Sequence, residues 1–245
     1  MRVLITGGTR GIGRELTERY LRRGAWVVVV GRGEEQLKEL KRRWGPQLEG
    51  YRVDLANLEE ATQFGKRLRR EGRPIDIAIF NAGISAPHSP NFPPPELFEQ
   101  IFRVNLLSIH RLLAETLELI PTGGKIVFIS SLASIIASPT SLPYSASKRA
   151  LNSYGESLYY LLRDREVITI LPGFIKTDMT SGHQFKMPFL LELEEGVDRI
   201  ERAIQKGIPF YPFPKRFYYL LKGLSLLPFP VKRWLIGKIL KEISE

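Results

Sequence analysis

The 245-residue sequence has no cysteine, so it holds no disulfide and no thiolate that could bind a metal or attack a substrate. That absence suits a reducing compartment and equally a heat-adapted protein. Histidine is scarce: His88, His110 and His183 are scattered without metal-ligand spacing, so no metal site is expected. Long apolar runs are missing as well. No stretch reaches the roughly 18 uncharged apolar residues of a spanning helix. The opening run at residues 1–6 is far too short for the core of a signal peptide. There are no repeats, low-complexity tracts or composition breaks that would mark a linker. These absences leave a soluble, cytoplasmic protein with one domain over 1–245 and a substantial core.

What is present is an alternation. Short β-branched runs at 2–6, 26–30, 51–53, 75–80, 125–130 and 167–171 read as strands, and they are nearly continuous in apolar residues. Such runs fit parallel strands covered on both faces. Amphipathic stretches at 12–23, 34–43, 58–70, 96–119 and 144–162 read as helices between them. Residues 197–206 add a last covering helix, and 207–213 a proline-interrupted edge strand. The alternation predicts an α/β Rossmann-type fold: a doubly wound parallel sheet of about seven strands with helices on both faces. In such sheets ligands sit at the carboxyl ends of the strands.

The first of these ends carries Thr6-Gly7-Gly8-Thr9-Arg10-Gly11-Ile12-Gly13, between a strand and a helix. Glycines there let the backbone approach a pyrophosphate, and the helix start offers unpaired N–H groups. Proteins that bind NAD usually end the second strand in an acid that takes the ribose hydroxyls. Here that strand ends in Gly31-Arg32, with no acid before Glu34, and Arg10 stands in the loop itself. Two guanidinium groups suit a 2′-phosphate, so NADP(H) is favoured over NAD(H).

Tyr144-Ser145-Ala146-Ser147-Lys148 opens a helix, and residues four apart share a helical face. A neighbouring ammonium and a nicotinamide cation both favour the phenolate and are expected to pull the Tyr144 pKa down toward use as an acid and base. The fifth strand runs into Ser130-Ser131, placing at the same end of the sheet a hydroxyl that can hydrogen-bond the substrate oxygen and hold it for hydride attack; the alternative is an N-cap or turn hydroxyl.

Taken together these motifs resemble the short-chain dehydrogenase/reductase family in its short, non-extended branch. The match runs through Gly7, Gly11 and Gly13, then Asp54 after the third strand, then Asn81-Ala82-Gly83 after the fourth. It continues with Asn105, Ser131, the Tyr144/Lys148 pair, and Pro172-Gly173-Phe174-Ile175 followed by Thr177. The resemblance implies metal-free, reversible hydride transfer between a nicotinamide and a small carbonyl or alcohol substrate. It implies Asn105, Ser131, Tyr144 and Lys148 as catalytic residues. Ser131 would orient the substrate oxygen, Tyr144 would move the proton, and Lys148 would lower its pKa and bind the nicotinamide ribose. Asn105 would position Lys148 through a water. Thr9, Arg10, Ile12, Arg32, Leu55, Asn81–Gly83, Pro172, Gly173, Ile175 and Thr177 would line the cofactor with the glycines and Asp54. The family also implies a homodimer or homotetramer.

Some residues stay outside this reading. His110 belongs to a helical pattern, and His183 to a substrate lid over 177–193; the proline-rich 87–95 reads as a rigid loop. The net charge is +10, and residues 199–245 carry ten Lys/Arg against three Asp/Glu, +7 in the last fifth of the chain. From 214 onward the chain departs from the family's shortest members as a basic, apolar and aromatic helical extension. Three readings of it stay open: helices packed over the cleft or a neighbouring subunit, a segment lying on a membrane surface, or nucleic-acid binding. The last lacks any accompanying motif, so no nucleic-acid partner is expected. For the whole chain, the alternatives to an enzyme are a dinucleotide-binding redox sensor without turnover and a membrane-surface protein acting on a lipid-like substrate.

Overall fold

The computed structural model describes residues 1–85, 91–181 and 187–244, with side chains as far as Lys238. Seven strands occur among the described residues: β1 (Arg2–Thr6), β2 (Trp26–Gly31), β3 (Leu48–Arg52), β4 (Ile77–Phe80), β5 (Lys125–Ile129), β6 (Glu166–Pro172) and β7 (Phe210–Phe213). They form one sheet in the order β3-β2-β1-β4-β5-β6-β7, with every neighbouring pair parallel. Strand order reverses between β1 and β4, which opens a crevice at the carboxyl ends there. The helices are α1 (Gly11–Arg22), α2 (Glu34–Trp44), α3 (Leu58–Glu71), α4 (Pro95–Phe102), α5 (Ser108–Thr116), α6 (Leu142–Leu161), the short α7 (Asp178–Ser181), α8 (Leu193–Gln205), α9 (Lys215–Leu226) and α10 (Phe229–Ser244).

The central strands β1, β2, β4, β5 and β6 are largely apolar because both faces are covered. Val3, Ile5, Val27, Val29, Val127 and Ile168 point to one core, closed by α1, α2 and α8. Their neighbours Leu4, Val28, Val30, Phe80, Ile126 and Phe128 point to the other, closed by α3, α5 and α6. Two-residue side-chain alternation thus divides one sheet between two cores. Local signals set the helix ends. The Asn57 side chain accepts from the amides of Glu59 and Glu60 to start α3, and Gly72 stops it at φ +64°.

Three expectations need correction. β3 begins at Leu48, three residues before the apolar signal, because Glu49 is neutralised by Arg2 at 3.1 Å and Arg73 at 2.7 Å. The helix expected over 96–119 is not uniform: π-helical turns at Arg103–Leu107 separate α4 from α5, and Leu117–Leu119 closes as a 3₁₀ turn. The edge strand is limited to Phe210–Phe213 and tolerates Pro212 because only β6 flanks it.

Helix α6 is seated by Gly155. A β-carbon there would lie 2.3 Å from Thr169 Oγ1 on β6 and 3.2 Å from Phe128. Gly155→Val should therefore force α6 off the sheet and lower unfolding free energy by about 1–3 kcal/mol, read in a urea melt.

Candidate active site

The loop after β1 turns through Gly7 (φ +66°) and Gly11 (φ +50°) before α1 begins. No side chain caps the start of α1, so its first amides stay open toward the crevice. The loop is clamped from β4. Asn81 Nδ2 donates to the carbonyls of Thr6 at 3.1 Å and Gly7 at 3.2 Å, while Thr6 Oγ1 accepts from the amides of Asn81 and Ala82. This polar lacing fixes a loop that has little side chain of its own to pack.

Across the crevice, the first turns of α6 bring Tyr144 and Lys148 to one face, with the Lys148 Nζ 5.8 Å from the Tyr144 ring centre. Lys148 is buried, 3% exposed, and its ammonium donates to the Ile129 carbonyl at 2.9 Å. Burial lowers its pKa to about 8. The Tyr144 phenol hydrogen-bonds the Ser131 hydroxyl, which also accepts from the Ala133 amide at 3.1 Å and so caps a 3₁₀ turn. Ser131 is thus a cap and a partner of the tyrosine at once.

In the protein without dinucleotide, the Tyr144 shift runs opposite to the lowering expected with a nicotinamide cation bound. Part of the residue opens on the crevice, yet the surrounding protein strips water from the phenol and pushes its pKa above the ordinary value. The Ser131 hydrogen bond pulls the other way and is outweighed. Lys148 lies close but directs its ammonium to Ile129, and desolvation wins.

These groups share one cavity of about 580 Å³. Its wall includes Gly7, Thr9, Arg10, Gly11, Ile12, Arg32, Asp54, Leu55, Asn81, Ala82 and Gly83, and on the far side Ser131, Tyr144, Lys148, Pro172, Gly173, Ile175 and Thr177. Two of the residues singled out from sequence do not line it. Gly13 supports the loop from behind, where a β-carbon would meet the Gly7 carbonyl at 2.2 Å and Asn81 Nδ2 at 2.4 Å. Asn105 is fully buried on the π-helical turns. Its amide bonds both backbone groups of Ile84, at 2.9 and 3.0 Å, and the Ser147 hydroxyl at 3.0 Å. It therefore fastens the loop after β4 to α6, one residue from Lys148, by direct contacts.

Sequence reasoning missed Ser147, which joins Asn105 to the Tyr144 carbonyl at 2.8 Å; its place three residues after Tyr144 was the available signal. It also missed Asp178, Met179 and Thr180 on the cavity wall. Thr180 Oγ1 accepts from the Thr177 amide and donates to Ile175, folding the end of the β6 loop inward. His110 stands outside the cavity on α5, paired with the Tyr154 hydroxyl at 3.0 Å. His88 and His183 lie outside the described residues, as do parts of the loop 87–95 and the lid 177–193.

The cavity's chemistry fits a dinucleotide. It offers a backbone cradle at an open helix start, and the exposed Arg10 and Arg32 make no ion pair among the described residues. Glu34, the first acid after β2, is engaged by Lys38 at 3.0 Å and does not line the cavity.

A doubly wound parallel sheet with such a cradle facing a Tyr/Lys/Ser cluster defines a Rossmann-type oxidoreductase. The family description "short chain dehydrogenase" matches residues 1–186, and the chain belongs to that family. A protein of Arabidopsis thaliana named 11-beta-hydroxysteroid dehydrogenase-like 2 is 35% identical over 221 residues, covering 84% of this chain and 70% of the relative. The crystal structure of a short chain dehydrogenase from Burkholderia cenocepacia in complex with NADP superposes with a TM-score of 0.78 at 25% identity, covering 92% of each chain. One from Burkholderia phymatum in complex with NAD gives 0.79 at 19% identity, covering 90% of this chain and 91% of that one, and shares the fold.

Removal of Lys148 should leave a pH signature. In the protein without dinucleotide, Lys148 titrates near 8 when folded and near its ordinary 10.5 when unfolded. Between those values the unfolded chain binds the extra proton, so stability rises with pH, on the order of 2 kcal/mol by pH 10. Thermal melts at pH 8 and pH 10 should show the stability difference between the native protein and Lys148→Met shift by that amount in favour of the native protein as pH rises.

Proposed function

We propose that this chain is an NADP(H)-dependent oxidoreductase that interconverts a carbonyl and an alcohol, with Tyr144 as the proton-transferring group. The observation that carries the reading is the Tyr144–Ser131 hydrogen bond with the buried Lys148 ammonium beside it, all on the cavity that begins at the glycine loop. When bound, a nicotinamide dinucleotide supplies or accepts the hydride.

The chain's own residues do the rest. Ser131 donates to the substrate oxygen and fixes its distance from Tyr144. A phenol whose pKa burial has raised is protonated at neutral pH, the form needed to give a proton to a carbonyl oxygen. The phenolate that results is stabilised by Lys148, which is itself still largely protonated at pH 7. Alcohol oxidation needs the phenol deprotonated and so should speed up as pH rises. Asn105 and Ser147 hold the Lys148 turn against the Ile84 loop. Arg10 and Arg32 meet the ribose 2′-phosphate, and the occupied Glu34 offers little repulsion.

Tyr144→Phe should cut turnover by about 10²–10⁴ while NADPH affinity, measured by fluorescence titration, changes little. Substantial retained turnover in a carbonyl panel followed by NADPH absorbance would remove Tyr144 from this role. Arg32→Asp should weaken NADPH relative to NADH by about ten- to a hundredfold, the range of one charge-assisted hydrogen bond. An unchanged preference would defeat the cofactor assignment.

A further inference from the structure

The two C-terminal helices present a chemistry that the proposed reaction does not use. Over residues 215–238 no residue is buried, although the stretch is rich in large apolar side chains. Leu226 and Phe229, at the turn between α9 and α10, are 76% and 82% exposed, and Tyr219 and Trp234 are 65% and 59% exposed. Helices of this length are marginal in water without a buried face, so a surface of this kind calls for a cover. The same stretch carries six cations, Lys215, Arg216, Lys222, Lys232, Arg233 and Lys238, and not one Asp or Glu.

The charge decides what that cover is. A second copy docked with this surface on the two-fold axis would set it against itself, cations facing cations with no carboxylate within 215–238 from either side. An anionic lipid surface meets both properties at once: Lys and Arg at the headgroups, Trp, Phe and Leu at the acyl boundary. Among the described residues no helix is long and apolar enough to cross a membrane, so the contact lies in the plane of the surface.

We infer that α9 and α10 form a docking face for an anionic lipid surface. The face is joined to the cavity. Phe217 of α9 stacks on Phe174, whose sequence neighbours Gly173 and Ile175 line the cavity, with ring centres 5.9 Å apart. It also meets Phe189 at 5.6 Å. Pro214, which leads into α9, lies 3.0 Å from where a β-carbon on Gly173 would sit. Docking therefore seats the cavity wall near the lipid. Docking itself stands apart from the catalytic reading; only delivery of a lipid-dissolved carbonyl to the cavity rests on it.

The test is flotation of the purified full chain with phosphatidylcholine vesicles, with and without about one-third phosphatidylserine, while turnover of a water-soluble ketone is followed in parallel. The chain should float with the anionic vesicles, bind neutral ones at least about tenfold more weakly, and be released near 1 M salt, where screening falls to about 3 Å. The double variant K232E/R233E should lose about thirtyfold or more in anionic-vesicle affinity. Phe229→Ala with Trp234→Ala should also weaken binding with every charge retained. Both double variants should keep native circular dichroism and soluble-ketone turnover. Absence of binding to anionic vesicles, or equal binding to neutral ones, would overturn the inference. So would self-association in sedimentation velocity that K232E/R233E changes little and F229A/W234A abolishes. Loss of ketone turnover in the native chain would count against the catalytic reading alone.

Discussion

The buried ammonium of Lys148 is the constraint around which the site is arranged. A charge at 3% exposure is costly unless it is hydrogen-bonded. The fold meets that cost with the last carbonyl of β5, which ties the start of α6 to the end of the sheet. On the other flank, Asn105 and Ser147 tie the same turn to the loop after β4. Tyr144 is thereby positioned from two sides, with the lysine ammonium bonded to the Ile129 carbonyl. Without dinucleotide, burial of the phenol raises its pKa and the Ser131 hydrogen bond opposes that rise.

The glycine loop depends on the same economy. Few side chains are available to hold it, so Asn81 and Thr6 do so with four hydrogen bonds to and from the backbone. Both anchors stand at the carboxyl ends of β4 and β1, the neighbouring strands where order reverses. Cradle and catalytic cluster are held by adjacent strands of one rigid sheet, and this keeps them in register across the crevice.

Much of this was legible in the sequence, for a physical reason. Parallel strands buried on both faces leave continuous apolar runs, and the loops that follow them must carry polar residues where function lies. The strand at 2–6 and the glycine loop after it came from that pattern, while Tyr144 and Lys148 came from their helical spacing and Ser131 from the family resemblance. What was illegible depends on distant partners. Glu49 sits in β3 only because Arg2 and Arg73 reach it. The π-helical turns hide inside an ordinary amphipathic pattern at 96–119, and Asn105 has its role through Ile84 and Ser147, 21 and 42 residues away in the chain. The direction of the Tyr144 shift is a sum over every atom that excludes water, which no spacing of two residues encodes.

The stack of Phe174 on Phe217 carries a kinetic consequence. It joins α9 to the loop whose Gly173 and Ile175 line the pocket. A chain seated by those helices would meet its substrate as a mole fraction within a two-dimensional film, not as a molarity in bulk solvent. Its turnover would then fall when inert lipid is added at constant substrate, the behaviour of surface dilution, while a water-soluble substrate would be indifferent to it.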